Sequence, residues 1–136
     1  MATLYTGKVY LSTYWHGQEI ASLVLRHRRA NKRDREERKE INDVPSYQRK
    51  IYVMDFQYEE FGIFNPWPDF DYWWMMLITK DGHVYTVKDD FYCNITSNDG
   101  GEVYISINNK IETEWKMLVD FPYSNGDWTY IKEIGG

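Results

Sequence analysis

Between Glu102 and Asn108 apolar side chains fall at every second position, with Val103, Ile105 and Ile107 on one side and Tyr104 and Ser106 on the other. This period-2 alternation belongs to a strand with one buried face and does not fit an amphipathic helix, whose period is 3.6. The signature recurs along the chain. Residues 3–15 are rich in Thr, Tyr and Val, and Glu19 to Arg26 is apolar on both sides. The short His16-Gly17-Gln18 link predicts an N-terminal hairpin between these two strands. Gln48 to Tyr58 predicts a third strand, with Ile51 and Val53 on one face and Tyr52, Met54, Phe56 and Tyr58 on the other. Asp81-Gly82 is a strong hairpin turn between Tyr72–Lys80 and His83–Asp89. Phe91–Thr96, Ile111–Val119 and Trp128–Ile134 extend the series. Eight or nine short strands predict a mainly β protein, an antiparallel sandwich or barrel, with residues 1–136 in one domain.

One stretch breaks the pattern. Arg26 to Glu40 carries 8 basic and 4 acidic residues, and residues 27–43 contain almost no apolar side chain. Asn31 could cap a helix there, and Lys32/Glu36, Arg33/Glu37 and Asp34/Arg38 are spaced i,i+4. A helix polar all round has nothing to bury, so the expectation is a charged projecting loop or frayed helix inserted between strands 2 and 3. The rest of the chain is acidic. Residues 51–136 hold 15 Asp and Glu against 5 Lys and Arg, while the first fifty hold 6 against 11.

Several classes are excluded. The longest apolar run, Tyr72 to Ile78, has seven residues, far below the roughly 20 of a membrane-spanning helix. Met1 to Tyr5 has neither a basic nor an apolar leader region, so no signal peptide and a cytoplasmic location are expected. Cys93 is a lone cysteine and is expected to be buried and inert. No phosphate loop, His-Glu-x-x-His, Cys-x-x-Cys or Gly-x-Ser-x-Gly occurs. His16, His27 and His83 fall in separate segments and read as solvated turn residues, so no enzyme is expected. Asn94-Ile95-Thr96 matches a glycosylation sequon, which carries little without a secretion signal. Asp69 and Asp71, with Glu59-Glu60 and Asp89-Asp90, could ligate a cation, yet 21 acidic residues make such clusters common by chance. No metal and no cofactor are expected.

The unusual quantity is 24 aromatic residues, 18% of the chain. Trp67 stands between Pro66 and Pro68, which fix φ and prevent sheet pairing, so this segment should be an ordered loop. Trp73 and Trp74 are adjacent in a strand and must point to opposite faces. A restrained tryptophan beside carboxylates has the make-up of a binding hot spot. The candidate partner-binding residues are therefore Trp67, Asp69, Asp71, Trp73, Trp74, Glu59 and Glu60. Arg26, Arg28, Arg29, Lys32 and Arg33 are a candidate polyanion contact.

A small, acidic, aromatic-rich domain of this kind resembles, in type only, the accessory proteins with which phages and mobile elements block host enzymes. The expected function is a non-enzymatic inhibitor that binds a basic host protein, such as a nuclease or defence complex, through an acidic aromatic face. The alternatives are a carbohydrate-binding β-sandwich module and a nucleic-acid binder acting through residues 26–39.

Overall fold

The computed structural model describes residues 3–14, 19–30, 32–45, 47–87, 91–109 and 115–135. Its strands are β1 (Tyr5–Tyr14), β2 (Ile20–Arg29), β3 (Glu36–Val44), β4 (Tyr47–Tyr58), β5 (Asp71–Thr79), β6 (Val84–Val87), β7 (Phe91–Tyr92), β8 (Glu102–Asn109), β9 (Trp115–Asp120) and β10 (Asp127–Gly135). Nine form one sheet in the order β3-β2-β5-β6-β10-β9-β8-β1-β4, and β7 pairs with β5 off this path. Every described pairing is antiparallel except β1 with β8. The sheet curls until its two end strands, β3 and β4, approach each other, giving a nearly closed barrel. No described helix is long and apolar enough to cross a membrane.

Alternation places the core. Val103, Ile105 and Ile107 of β8 are fully buried inside the barrel, beside Val9 and Leu11 of β1 and Met117 and Val119 of β9. Trp73 is buried and Trp74 lies half-exposed outside, as adjacent strand residues must. We expect Ile105→Ala to lower the unfolding free energy by about 2–5 kcal/mol. Ser106→Ala, on the opposite face of the same strand, should cost about 0.5 kcal/mol or less. Urea titration of the two variants checks this.

Three details differ from the sequence-based expectations. The N-terminal hairpin does not form: β1 lies between β4 and β8, and β2 between β3 and β5. His16-Gly17-Gln18 lies outside the described residues, and it lacks the Asn-Gly or Asp-Gly dipeptide that commits two strands to each other. In β4 the expected faces hold only in part, because a register shift opposite Val9 and Tyr10 changes the alternation. Tyr52 points out, whereas Val53 and Met54 are both buried, followed by Phe56 and Tyr58. Such a bulge adds a residue to one strand and resets its parity.

The third correction is the largest. The charged segment is not a projecting arm. Residues 27–29 finish β2, Arg33–Arg35 make one 3-10 turn, and β3 returns along β2 in register from His27 opposite Glu37 to Ile20 opposite Val44. Asn31 lies outside the described residues. β3 ends the sheet, so its charges face water or pair with charges on β2, and no apolar stripe is needed.

Candidate functional site

At one end of the barrel the inner face turns from apolar to ionic. Along β2 the inward positions run Leu23, Leu25, His27, and along β5 they run Met75, Trp73, Asp71. His27 and Asp71 are both completely buried. His27 Nδ1 lies 2.6 Å from Glu37 Oε1 and Nε2 lies 2.7 Å from Asp71 Oδ1. Ionised carboxylates only accept, so beside two of them the ring donates at both nitrogens as an imidazolium, the form that a raised pKa favours. The rings of Trp73 and Phe56, 4.6 and 4.8 Å from it, exclude water. Burial alone pushes the His27 pKa down, but the hydrogen bonds to Asp71 and Glu37 outweigh it and hold the pKa above the ordinary value. With both nitrogens engaged, the ring has no lone pair to offer a substrate. This corrects the reading of His27 as a solvated turn residue. The available signal was the period-2 series Leu23, Leu25, His27.

The second Asp71 oxygen accepts from the Ile95 amide at 3.1 Å, and Asn94 Oδ1 accepts from the Asp71 amide at 3.0 Å. The sequon asparagine is thereby tied into the site. Glu59, also buried, is the next hub. Its carboxylate accepts from Arg29 Nη1 at 3.4 Å, from Asn65 Nδ2 at 3.2 Å and from the Asp69 amide at 3.2 Å. Asp69 in turn takes a hydrogen-bonded ion pair from Arg35.

These bonds brace the segment between β4 and β5 from below. The Ala30 amide donates to Phe70 O at 2.8 Å, and Gly62 and Asn65 exchange backbone hydrogen bonds at 3.1 and 3.0 Å. Ile63 and Phe64 thus sit at the tip of a closed turn, 93% and 98% exposed, with Phe61 at 77% and Trp67 at 88%. They are the four most exposed large apolar side chains among the described residues. A cleft of about 220 Å³ runs between this loop and Thr3 and Tyr5.

The predicted site residues therefore divide. Trp67 is at the surface and Glu60 is half-buried. Asp71, Trp73 and Glu59 lie inside the protein and cannot touch a partner. Asp69 is neutralised by Arg35, so these residues do not make an open acidic face. Trp74 is stacked under Arg26 at 4.4 Å. The candidate polyanion contact is likewise largely committed. Arg26 and Arg28 pair with Glu36, and Arg29 with Glu59 and Asp69; Lys32 and Arg33 are exposed. Phe61, Ile63 and Phe64 were missed, although three large apolar residues in a Gly- and Pro-punctuated loop were a visible signal.

Elsewhere, burial pushes the Cys93 thiol up to about 12, so it remains a protonated core side chain. Asp89 and Asp90 lie outside the described residues. Among the described residues no group of three or more His, Cys, Asp or Glu is placed to hold a metal ion.

The ionic cluster makes stability depend on pH. In the unfolded chain His27 returns to about 6.5. Its contribution is complete below that value and is lost as pH rises through the raised folded value. For Asp99, burial pushes the pKa up but the amides of Ser124, Thr96 and Tyr123 outweigh it and hold it low. That contribution is complete above the ordinary carboxylate value and is lost on acidification. His83, exposed and hydrogen-bonded to Glu133, is also raised. We therefore expect stability to be greatest between these limits and to fall on the alkaline side. Urea titrations at stepped pH should show a shallower decline from neutral to mildly alkaline pH in His27→Leu than in the parent, because the His27 contribution to that decline is then absent. Compared with known proteins, the chain matches no family model and no curated protein.

Proposed function

We propose that this chain is a non-enzymatic protein-binding module that docks through residues 61–67 and inhibits its partner. The observation that carries this reading is the set Phe61, Ile63, Phe64 and Trp67, held in water on a braced turn. Exposed apolar clusters of this kind mark interaction sites. Covering each such side chain contributes about 1.5–3 kcal/mol, and a loop already fixed in shape loses little entropy on docking. The partner is a basic protein of the nucleic-acid-processing, defence type, met in the cytoplasm and blocked as small phage or mobile-element inhibitors block theirs. The net charge of −5 supports that choice, through attraction to basic surfaces and repulsion of anionic membranes.

The test is capture on immobilised protein from a cytoplasmic lysate, run beside Phe64→Asp. The reading expects one stoichiometric basic protein on the parent and its loss on the variant. Equal retention on both, or an acidic captured protein, overturns it.

A further inference from the structure

Outside the barrel, side chains form two parallel rows across β4, β1 and β8. The first is aromatic. Tyr52, Tyr10 and Tyr104 are neighbours in register, with ring centroids 6.2 and 5.8 Å apart. The second is charged: Lys8 is the register partner of both Asp55 and Glu102. The rows are cross-linked. The Tyr52 hydroxyl donates to Asp55 at 2.7 Å and the Tyr104 hydroxyl to Glu102 at 2.6 Å. Lys8 closes the row on Asp55 at 3.1 Å.

These bonds fix the rings before any ligand arrives. The hydrogen bond to Glu102, followed by partial burial, pushes the Tyr104 phenol up to about 12, so it stays a donor. Tyr52 is 51% exposed. Lys8 and Lys50 lie over the Tyr52 and Tyr104 rings at 5.1 and 4.9 Å, on flexible stems that can swing aside.

Charge selects the ligand. A single-stranded nucleic acid also stacks on aromatic rows, but it needs a surplus of cations along its phosphates. Here the two lysines, Lys8 and Lys50, are offset in charge by Asp55 and Glu102, and Asp120 is the register partner of Tyr104 at the end of the aromatic row. The surplus is absent. What remains is a stacking surface edged by carboxylate acceptors with spare lone pairs and by ammonium donors, which suits hydroxyl groups on an uncharged ring. We propose that Tyr52, Tyr10 and Tyr104 are a platform for a neutral glycan, whose hydroxyls bond to Asp55, Lys8 and Glu102. Pyranose faces stack on the tyrosines, and the lysines move from the ring faces to sugar oxygens.

The test uses calorimetry with the hexasaccharides of glucose, mannose and N-acetylglucosamine, and with an oligothymidylate strand. At least one hexasaccharide should bind with a Kd of about 0.1–1 mM, unchanged by added salt because no counterions are released. Tyr52→Ala and Glu102→Gln should each weaken binding about tenfold while the melting temperature stays within about 4 °C of the parent. Tyr52→Phe, which keeps the ring, should lose less than Tyr52→Ala. The proposal is overturned if no hexasaccharide binds at about 10 mM, or if the variants bind like the parent. It is equally overturned if only oligothymidylate binds, with affinity falling steeply in salt.

Discussion

Asp71→Ala should destabilise the protein by about 3–5 kcal/mol, the loss typical of breaking a buried ion pair from one side. The change removes an acceptor from the fully buried His27 ring and leaves the Ile95 amide without its carboxylate. It leaves Glu37 as the only carboxylate still bonded to that ring. Two comparisons identify the cause. Asp69→Ala, at a partly exposed pair, should cost about 1 kcal/mol or less. The double variant His27→Leu, Asp71→Ala should recover part of the loss, because the stranded positive charge has gone. A double variant no more stable than Asp71→Ala would show that the cost lies in the Ile95 bond or in packing.

Binding should be as sensitive to the loop as folding is to the cluster. For the partner captured by the parent, Trp67→Ala and Phe64→Ala should each raise Kd by about 30-fold to 1000-fold, as hot-spot truncations of 2–4 kcal/mol do. The loss should appear as faster dissociation, with little dependence on salt. Melting temperatures should not change, because both side chains are already in water. Charge reversal at Asp69 should instead act through stability, since its carboxylate is bound to Arg35. Parent-like dissociation rates for both loop variants would remove the loop as the docking surface.

How much of this was legible depended on what each residue had to do. The alternation of Val103, Ile105 and Ile107 was readable because a one-sided strand must repeat every two residues. The opposite fates of Trp73 and Trp74 followed from the same geometry. β3 was not readable by that rule, because an end strand meets the core only in places. Its inward positions include Glu37 as well as Ile41 and Val44. Those charges resembled a solvated loop until β2 was laid beside them. Asp69 and Asp71, two residues apart in the sequence, do not share a strand face, because β5 begins only at Asp71. Pairing between sequence-distant strands is where local pattern carries least information.

The parallel pairing of β1 with β8 bears on how the chain emerges from a ribosome. Lys8 meets Glu102 and Tyr14 meets Asn108, so β1 must wait for a partner synthesised about 94 residues later. At about 5–20 residues per second that wait is about 5–20 s. Once β4 has been made β1 can pair with it, but until β8 follows it keeps one edge and the apolar residues Val9 and Leu11 uncovered. Nascent chains held in that interval are the species most prone to aggregate. Slower translation of residues 60–100 should lower the soluble yield of this protein even though every finished molecule has the same stability.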